Sequence, residues 1–105
     1  MSHWHKTVHS ENFNAINSFR KTFEARPNEG YQENDIITLY EWNAYFNKPT
    51  GKAIRARIGF VILKTYARNQ WALFSLLDLV KMPFPHNPPV GSMSDVVGFK
   101  LNFEE

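Results

Sequence analysis

The chain has 105 residues, of which 43% are hydrophobic and 15% aromatic, and its formal net charge is only +2 at pH 7. These values exclude a disordered protein, allow one domain with one modest core, and give no indication of a nucleic-acid partner from net charge alone. Because the chain has no cysteine, disulfide bonds, thiolate metal sites and a cysteine nucleophile are excluded as well. We expect a single domain that spans residues 1–105.

No segment of the sequence indicates a membrane. Residues 1–6 lack the apolar core of a signal peptide. No apolar run reaches the ~20 residues that a transmembrane helix needs. We therefore expect a cytoplasmic protein that has no membrane partner.

The first predicted elements are a strand, a helix and a second strand. Residues 3–9 are predicted to form a short strand or an extended arm. Ser10 is the candidate N-cap of a helix that ends near Phe19. Residues 22–26 alternate between polar and apolar in the manner of a strand, which Pro27 ends.

Two more strands are predicted in the middle of the chain. Residues 36–42 form the first of them, residues 43–51 form a loop, and residues 54–63 form the longest strand. In that longest strand, Arg55 and Arg57 lie on one face. The opposite, apolar face consists of Ile54, Ala56, Ile58, Phe60 and Ile62.

Residues 69–82 give an ambiguous pattern. They do not alternate, and polar side chains recur at every third position, at Ser75, Asp78 and Lys81. This spacing places the three side chains on one narrow stripe of a helix, so the pattern predicts a largely buried helix. A buried central strand is the alternative.

The end of the chain is predicted to be a loop and a last strand. Residues 82–92 include four prolines, so neither a helix nor a central strand passes through them. Residues 96–103 form the last strand. The sequence therefore predicts an α+β fold, a small curved β-sheet or barrel with about two α-helices.

Three charged residues, Lys21, Glu24 and Arg26, stand where the predicted helix gives way to a strand; we call them the signature cluster. Strand alternation places Glu24 and Arg26 on one face, about 7 Å apart, and Phe23 on the other face, in the core. The three charged ends are expected to converge on one small site. There Lys21 and Arg26 would bind an anionic or polar ligand, and Glu24 would accept hydrogen bonds. A purely structural ion pair is the alternative.

The signature cluster, preceded by a short helix, resembles the G-x-K-x-x-E-x-R motif of ASCH domains in the PUA-like superfamily. Three later stretches also resemble motifs of that family. They are residues 34–42 (V-G-D-x-L-x-L-x-E-W/Y), 49–52 (Y-T-G-R) and 95–99 (Y-V-V-L-G-F). Phe19 and Asn34 occupy positions where the family usually has glycine. The set is similar to the small branch called domain of unknown function 3850, found in bacteria and phages.

This resemblance implies a PUA-like fold that binds nucleic acid, and specifically RNA, in the cytoplasm of a bacterium or of a phage-infected host. A branch of ASCH proteins is similar to amidohydrolases of N4-acetylcytidine, which use a lysine, a threonine and a distant glutamate. Lys21 matches that lysine, but Glu24 occupies the position of the threonine. We therefore expect no catalysis, with hydrolysis of a modified nucleoside as an alternative.

A second basic cluster is predicted around the 49–52 turn. Lys52, Arg55 and Arg57 are expected to share an exposed face that contacts phosphates, although a plain solvated surface is the alternative. Tyr45 and Phe46 lie beside Lys48 and Lys52 in the sequence, and nucleobases stack on exposed aromatic rings of this kind.

No motif indicates a cofactor or a metal ion. The chain has four histidines but no H-E-x-x-H pattern, nucleotide-binding glycine loop or G-x-S-x-G. We expect a nucleic-acid-binding module without cofactor or metal, or alternatively a phage or bacterial protein-interaction module that uses the 82–92 loop. The predicted ligand-binding residues are Lys21, Glu24, Arg26, Tyr45, Lys52, Arg55 and Arg57.

Overall fold

The computed structural model describes residues 1–89, so the predicted strand at 96–103, the 95–99 motif and the end of the proline-rich loop lie outside the described residues. Within 1–89 the chain forms five strands and one helix. Their bounds are β1 His3–His9, α1 Ser10–Asn17, β2 Phe23–Pro27, β3 Ile36–Asn43, β4 Lys48–Tyr66 and β5 Asn69–Lys81. No helix in this range is long and apolar enough to cross a membrane.

The five strands form one curled sheet, a half-barrel, in the order β1-β3-β4-β5-β2. β1 runs parallel to β3, and all other neighbours are antiparallel. Among the described strands, β1 and β2 are therefore the two edges of the sheet. Arg26 on β2 donates a hydrogen bond through Nη2 to the carbonyl of Thr7 on β1, at 2.6 Å. A side chain thus joins the two edges of the sheet.

The hydrophobic core lies between the sheet and α1. Phe13 and Ile16 are three positions apart, so they lie on the same face of α1, and both are buried. Full burial of such a side chain contributes about 1.5–3 kcal/mol. The remaining core residues come from all strands but β2 and from the β2–β3 connection. They are Val8, Tyr31, Ile37, Leu39, Ile54, Ala56, Ile58, Ala72, Phe74 and Leu76.

The predicted helix over residues 69–82 is wrong, because this segment is the interior strand β5, between β4 and β2. Ala72, Phe74 and Leu76 are buried at strand spacing. The pairing of β5 with β4 then shifts register, and Asp78, at the shift, has φ of 55°. Such a bulge changes which positions face inward. Leu79 packs against the core beyond it. The polar spacing of three that suggested a helix arises from this bulge.

A second bulge alters the predicted apolar face of β4. The first half of that face is buried as predicted, as far as Ile58. The register then shifts between Ile58 and Val61, so that Val61 packs against the core. Phe60 and Ile62, which were predicted to share the inward face, are exposed instead. The outer surface of the sheet therefore carries large apolar side chains.

Helix α1 ends in a motif that normally requires glycine. Phe19 has φ of 61°, and its N–H bonds to the carbonyl of Ile16, while the N–H of Arg20 bonds to the carbonyl of Ala15. This is a Schellman motif with Phe19 at the left-handed position. Asn34, the other position where glycine is usual in the resembled family, has φ of 75°. The backbone geometry of the motif is thus kept, although a phenylalanine in this conformation is strained.

At its other end the helix differs slightly from the prediction. Ser10 is the first helical residue rather than the N-cap, and His9 takes the N-cap position without a side-chain capping bond. A serine hydroxyl caps a helix only from the residue before the first turn. The one-residue shift therefore removes the predicted capping bond.

Candidate functional site

The structure brings the three side chains of the signature cluster together. Glu24 lies between the two cations: its Oε1 accepts a hydrogen bond from Lys21 Nζ at 3.1 Å, and its Oε2 accepts one from Arg26 Nε at 2.9 Å. Only 4% of Glu24 is exposed. A buried carboxylate is costly unless it is paired, so the two cations are what make its burial tolerable. The cluster keeps a net charge of +1.

Two further hydrogen bonds tie the signature cluster to neighbouring elements. Lys21 Nζ also donates to Asn12 Oδ1 on α1 at 3.3 Å. Arg26, as described above, reaches Thr7 on β1. The cluster therefore fastens β2 to both the helix and the opposite edge of the sheet, which is a structural role beside any role in binding.

Phe23 is not in the core, so that prediction is wrong. Glu24 and Arg26 point inward on β2, and Phe23 points outward with 52% of its surface exposed. The reason is that β2 is an edge strand whose inward face meets the polar gap beside β1. Charged side chains fill that gap and the apolar ring is left outside. The Lys21 ammonium lies 5.4 Å from the centroid of this ring, within the range of a cation–π contact.

An ion pair near the same gap was missed in the sequence. Lys6, which is buried on β1, donates to Glu29 Oε2 at 2.7 Å, and the Tyr31 hydroxyl donates to the same oxygen at 3.3 Å. The sequence did contain a signal for this pair. Lys6 is two positions from both Trp4 and Val8, so in a strand it lies on the same face as these apolar residues. A lysine on the apolar face of a strand requires a partner.

Asp35, from the family-like 34–42 stretch, has a structural role. It is buried and accepts hydrogen bonds from Ser2 N and Trp4 Nε1 at 2.9 Å and from Gln32 N at 3.1 Å. Burial alone would raise the pKa of Asp35, but these hydrogen bonds stabilise the carboxylate and hold its pKa below the ordinary value. Asp35 thereby fixes the start of β1 beside β3.

The second basic cluster does not form one exposed face, so that prediction is wrong. Lys52 and Arg55 are three positions apart, and a strand places such residues on opposite faces. Lys52 lines a pocket beside α1. Arg57, on the outer surface, donates to Asp78 Oδ2 and to Asn34 Oδ1, both at 2.9 Å. The three cations therefore have three different environments.

Arg55 belongs to a cluster with two histidines that the sequence did not indicate. His3 Nε2 and Thr38 Oγ1 are 2.8 Å apart, as are His5 Nδ1 and the Tyr40 hydroxyl. The imidazole rings of His3 and His5 stack with centroids 4.3 Å apart. Within residues 1–89, Arg55 Nε is buried and has no hydrogen-bond partner. We call this group the histidine cluster.

The pKa values in the histidine cluster are shifted by burial and by like charge. Burial lowers the pKa of His3, and the neighbouring His5 and Arg55 lower it further. Burial likewise lowers the pKa of His5, with added effects of Arg55 and His86. Burial raises the pKa of Tyr40, against the opposing effect of Arg55. These histidines are therefore held neutral to lower pH than free histidine.

A shallow groove of about 610 Å³ lies between the start of α1 and the end of β3 with the turn that follows it. Asn12, the partner of Lys21, lines one end, and Ala44, next to Tyr45, lines the other. The remaining lining residues are His9, Ser10, Glu11, Trp42 and Asn43. At the hairpin tip Tyr45 is 89% exposed, and its ring meets that of Phe46 edge-on at 4.9 Å.

Two comparisons with known proteins bear on this site. The family model described as "Domain of unknown function (DUF3850)" matches residues 3–77, a range that contains the signature cluster and the groove. No curated protein matches the chain. The geometry of its own side chains is therefore the basis for assigning it a function.

Proposed function

The chain belongs to the DUF3850 family. We propose that it is an ASCH-type, PUA-like module that binds single-stranded RNA along the shallow groove. The PUA-like assignment is supported by the sequence motifs and by the curled sheet. The RNA is proposed to run from the signature cluster, past Asn12, to the hairpin tip at Tyr45. The resemblance to bacterial and phage domains supports a cytoplasmic site of action.

One observation carries the proposal: an exposed aromatic ring lies beside the lysine of the signature cluster, and a second exposed ring comes two residues before that lysine in the chain. Phe23 points outward beside the Lys21 ammonium, and Phe19 is 69% exposed while its backbone is in a strained, left-handed conformation. Strain at an exposed aromatic residue supports a function for that side chain, because glycine would fit the turn better. Nucleobases stack on such rings for about 1–3 kcal/mol each.

The far end of the groove offers a second platform of the same kind. Tyr45 and Phe46 are exposed, and the Lys48 ammonium lies 5.7 Å from the centroid of the Phe46 ring. An aromatic ring next to a lysine can stack a base while the lysine meets the adjacent phosphate. The repetition of this pair at both ends supports a strand that lies along the groove.

The charges of the groove support stacking as the main source of affinity. Glu24 already neutralises one of the two cations of the signature cluster, and Glu11 lies in the groove itself. Few phosphates can therefore be neutralised. We expect a slope of log affinity against log salt of about −1 to −2, well below that of proteins with many phosphate contacts.

The test compares RNA binding by the Phe19→Gly variant and the wild type. Binding is measured by the fluorescence anisotropy of a labelled single-stranded RNA decamer. Glycine relieves the left-handed strain but removes the ring. The variant should be more stable than the wild type by about 0.5–1 kcal/mol. It should nevertheless bind RNA about 5- to 140-fold more weakly, the loss of one stacked base.

Tyr66→Ala is the matched control, since Tyr66 is an exposed aromatic residue at the distant β4–β5 hairpin. It should leave RNA affinity unchanged. Wild-type protein that binds no decamer at low salt would contradict the proposal and favour a protein-interaction module. If Phe19→Gly binds RNA as tightly as the wild type does, stacking of a base on Phe19 is no longer part of the proposal.

A further inference from the structure

A pocket of about 260 Å³ lies beside α1 and shares no lining residue with the groove. It is enclosed by the last turn of the helix, the start of β4, the end of β5 and the beginning of the proline-rich loop. Its lining residues are Phe13, Asn17, Lys52, Ala53, Ile54, Lys81, Met82 and Phe84. We call it the lysine pocket. It contains two cations that the proposed RNA groove does not use.

The wall formed by the proline-rich loop is held in place by backbone contacts. Met82 N donates to the carbonyl of Ala53 at 3.0 Å, and His86 N donates to that of Gly51 at 2.7 Å. Gly51 has φ of 94°, and a Cβ there would lie 2.9 Å from the Phe84 ring. Only glycine therefore allows this ring to lie against the β4 backbone, and the loop has a defined role as one side of the pocket.

The two lysines lie on the same side of the sheet. Lys81 is the cross-strand partner of Ile54, and Lys52 is two positions along β4 from Ile54. Diagonal neighbours of this kind are about 7–8 Å apart, near enough for their ammonium groups to repel each other and to meet around one anion. Among residues 1–89 neither ammonium forms an ion pair, unlike Lys6 and Lys21.

The rest of the pocket is suited to a flat ring. Phe13 and Ile54 form a buried apolar floor, and Phe84 adds a largely exposed aromatic ring at the side. The Asn17 side-chain amide has both donors and an acceptor, which suits the polar edge of a base. The volume is below the ~300 Å³ at which pockets for larger ligands begin, so it accommodates one nucleotide at most.

We propose that the lysine pocket binds a single nucleotide through its phosphate and its base. Lys52 and Lys81 contact the phosphate, the base lies against Phe84, and Asn17 contacts the edge of the base. A free mononucleotide and the 5′-terminal nucleotide of a phosphorylated RNA present the same chemistry. The proposal does not depend on the RNA groove, which has none of its lining residues in common with this pocket.

The experiment is a calorimetric titration of the full chain with CMP and AMP. The double variant Lys52→Gln/Lys81→Gln should lose at least tenfold in affinity for both, whereas the matched variant Lys64→Gln/Arg68→Gln, which removes two exposed cations elsewhere, should bind like the wild type. Cytidine and inorganic phosphate should each bind at least tenfold more weakly than CMP. Phe84→Ala should weaken CMP but leave inorganic phosphate unchanged.

Two RNA arms distinguish the source of the nucleotide. A hexanucleotide with a 5′-phosphate is compared with the same strand carrying a 5′-hydroxyl. A tenfold preference for the phosphate that disappears in Lys52→Gln/Lys81→Gln assigns the pocket to an RNA terminus, and CMP binding without such a preference assigns it to a free nucleotide.

The proposal is overturned if neither CMP nor AMP binds, if the double variant binds them as well as the wild type does, or if inorganic phosphate binds as tightly as CMP. Phe19→Gly should leave CMP affinity unchanged, so a failure of the lysine pocket and a failure of the RNA groove give different results. Circular dichroism of each variant checks that these surface substitutions leave the fold intact.

Discussion

The signature cluster and the lysine pocket both contain two cations, but in the described part of the chain only the first contains a carboxylate. In the signature cluster a buried glutamate accepts from both cations, and the group joins three elements of the fold. In the lysine pocket the two ammonium groups face one cavity, and within residues 1–89 no carboxylate pairs with either. Pairs of cationic residues in one sequence can therefore differ in role: one pair stabilises the fold, and the other is available to bind a ligand.

The largest expected effect comes from removing the carboxylate of the signature cluster. Glu24→Gln leaves Lys21 and Arg26 facing each other in a partly buried gap. It should lower the free energy of unfolding by about 3 kcal/mol, as measured by urea denaturation. The control is Asp78→Asn, which breaks an exposed pair with Arg57 and should cost less than about 1 kcal/mol. Equal losses of unfolding free energy in Glu24→Gln and Asp78→Asn would contradict the structural role given to the signature cluster.

A smaller effect on stability is expected from pH, because no carboxylate within residues 1–89 pairs with His3 or His5 in the histidine cluster. The folded-state pKa values of His3 and His5 lie below their ordinary value of 6.5. The unfolded chain therefore binds more protons near pH 6, and stability is complete above pH 6.5 and declines as the pH falls through the lowered pKa values. The urea midpoint should be lower at pH 5.0 than at pH 7.5.

A His3→Gln/His5→Gln variant provides the control for this pH dependence. Its urea midpoint should change less between the two pH values, because glutamine does not titrate. A wild-type midpoint that is higher at pH 5.0 would mean that protonated histidines are stabilised in the folded protein, which contradicts the shifts described above.

A smaller effect still is expected in the lysine pocket without ligand. Lys52→Gln/Lys81→Gln removes a repulsion and no ion pair known from residues 1–89, so stability should be unchanged or should rise by a few tenths of a kcal/mol at low salt. Adding salt should remove the difference. A loss above 1 kcal/mol would show that these lysines have a structural partner, and would make the two regions alike.

No effect at all is expected in an assay for hydrolysis of N4-acetylcytidine. Lys21 Nζ is held in a hydrogen bond to Glu24 Oε1 at 3.1 Å, and a carboxylate in this position repels a developing oxyanion. Chromatography of N4-acetylcytidine incubated with pure protein should detect no cytidine. Turnover that disappears in Lys21→Ala would instead make the signature cluster a catalytic site.

The parts of the fold that sequence reasoning predicted are those with uninterrupted local patterns. β1 and β3 were located nearly to the residue, and β4 was recognised as the longest strand. The convergence of Lys21, Glu24 and Arg26 follows from a short stretch whose alternation is unbroken. The resemblance to family motifs also pointed to the left-handed positions at Phe19 and Asn34, since glycine is usual there.

The errors have a common physical origin, because they depend on contacts between distant segments. The bulge at Asp78 is imposed by pairing with β4 and imitates helical spacing. Phe23 is predicted to be a core residue only because the sequence does not show that its strand is an edge facing a polar gap. Lys81 lies near Lys52 because it is the cross-strand partner of Ile54, and no local sequence pattern reveals that pairing.

The strand order also determines when the signature cluster can form during folding. β4 and β5 are joined by a tight hairpin at Ala67 and Arg68, both with positive φ, and they can pair locally. Among residues 1–89, β2 has its only strand partner in β5, with Phe23 opposite Ser75 across some fifty residues of chain. Pairing over such a separation carries a large entropic cost and comes late. The signature cluster should therefore form after the transition state for folding. We expect Glu24→Gln to accelerate unfolding and to leave the refolding rate nearly unchanged in stopped-flow measurements.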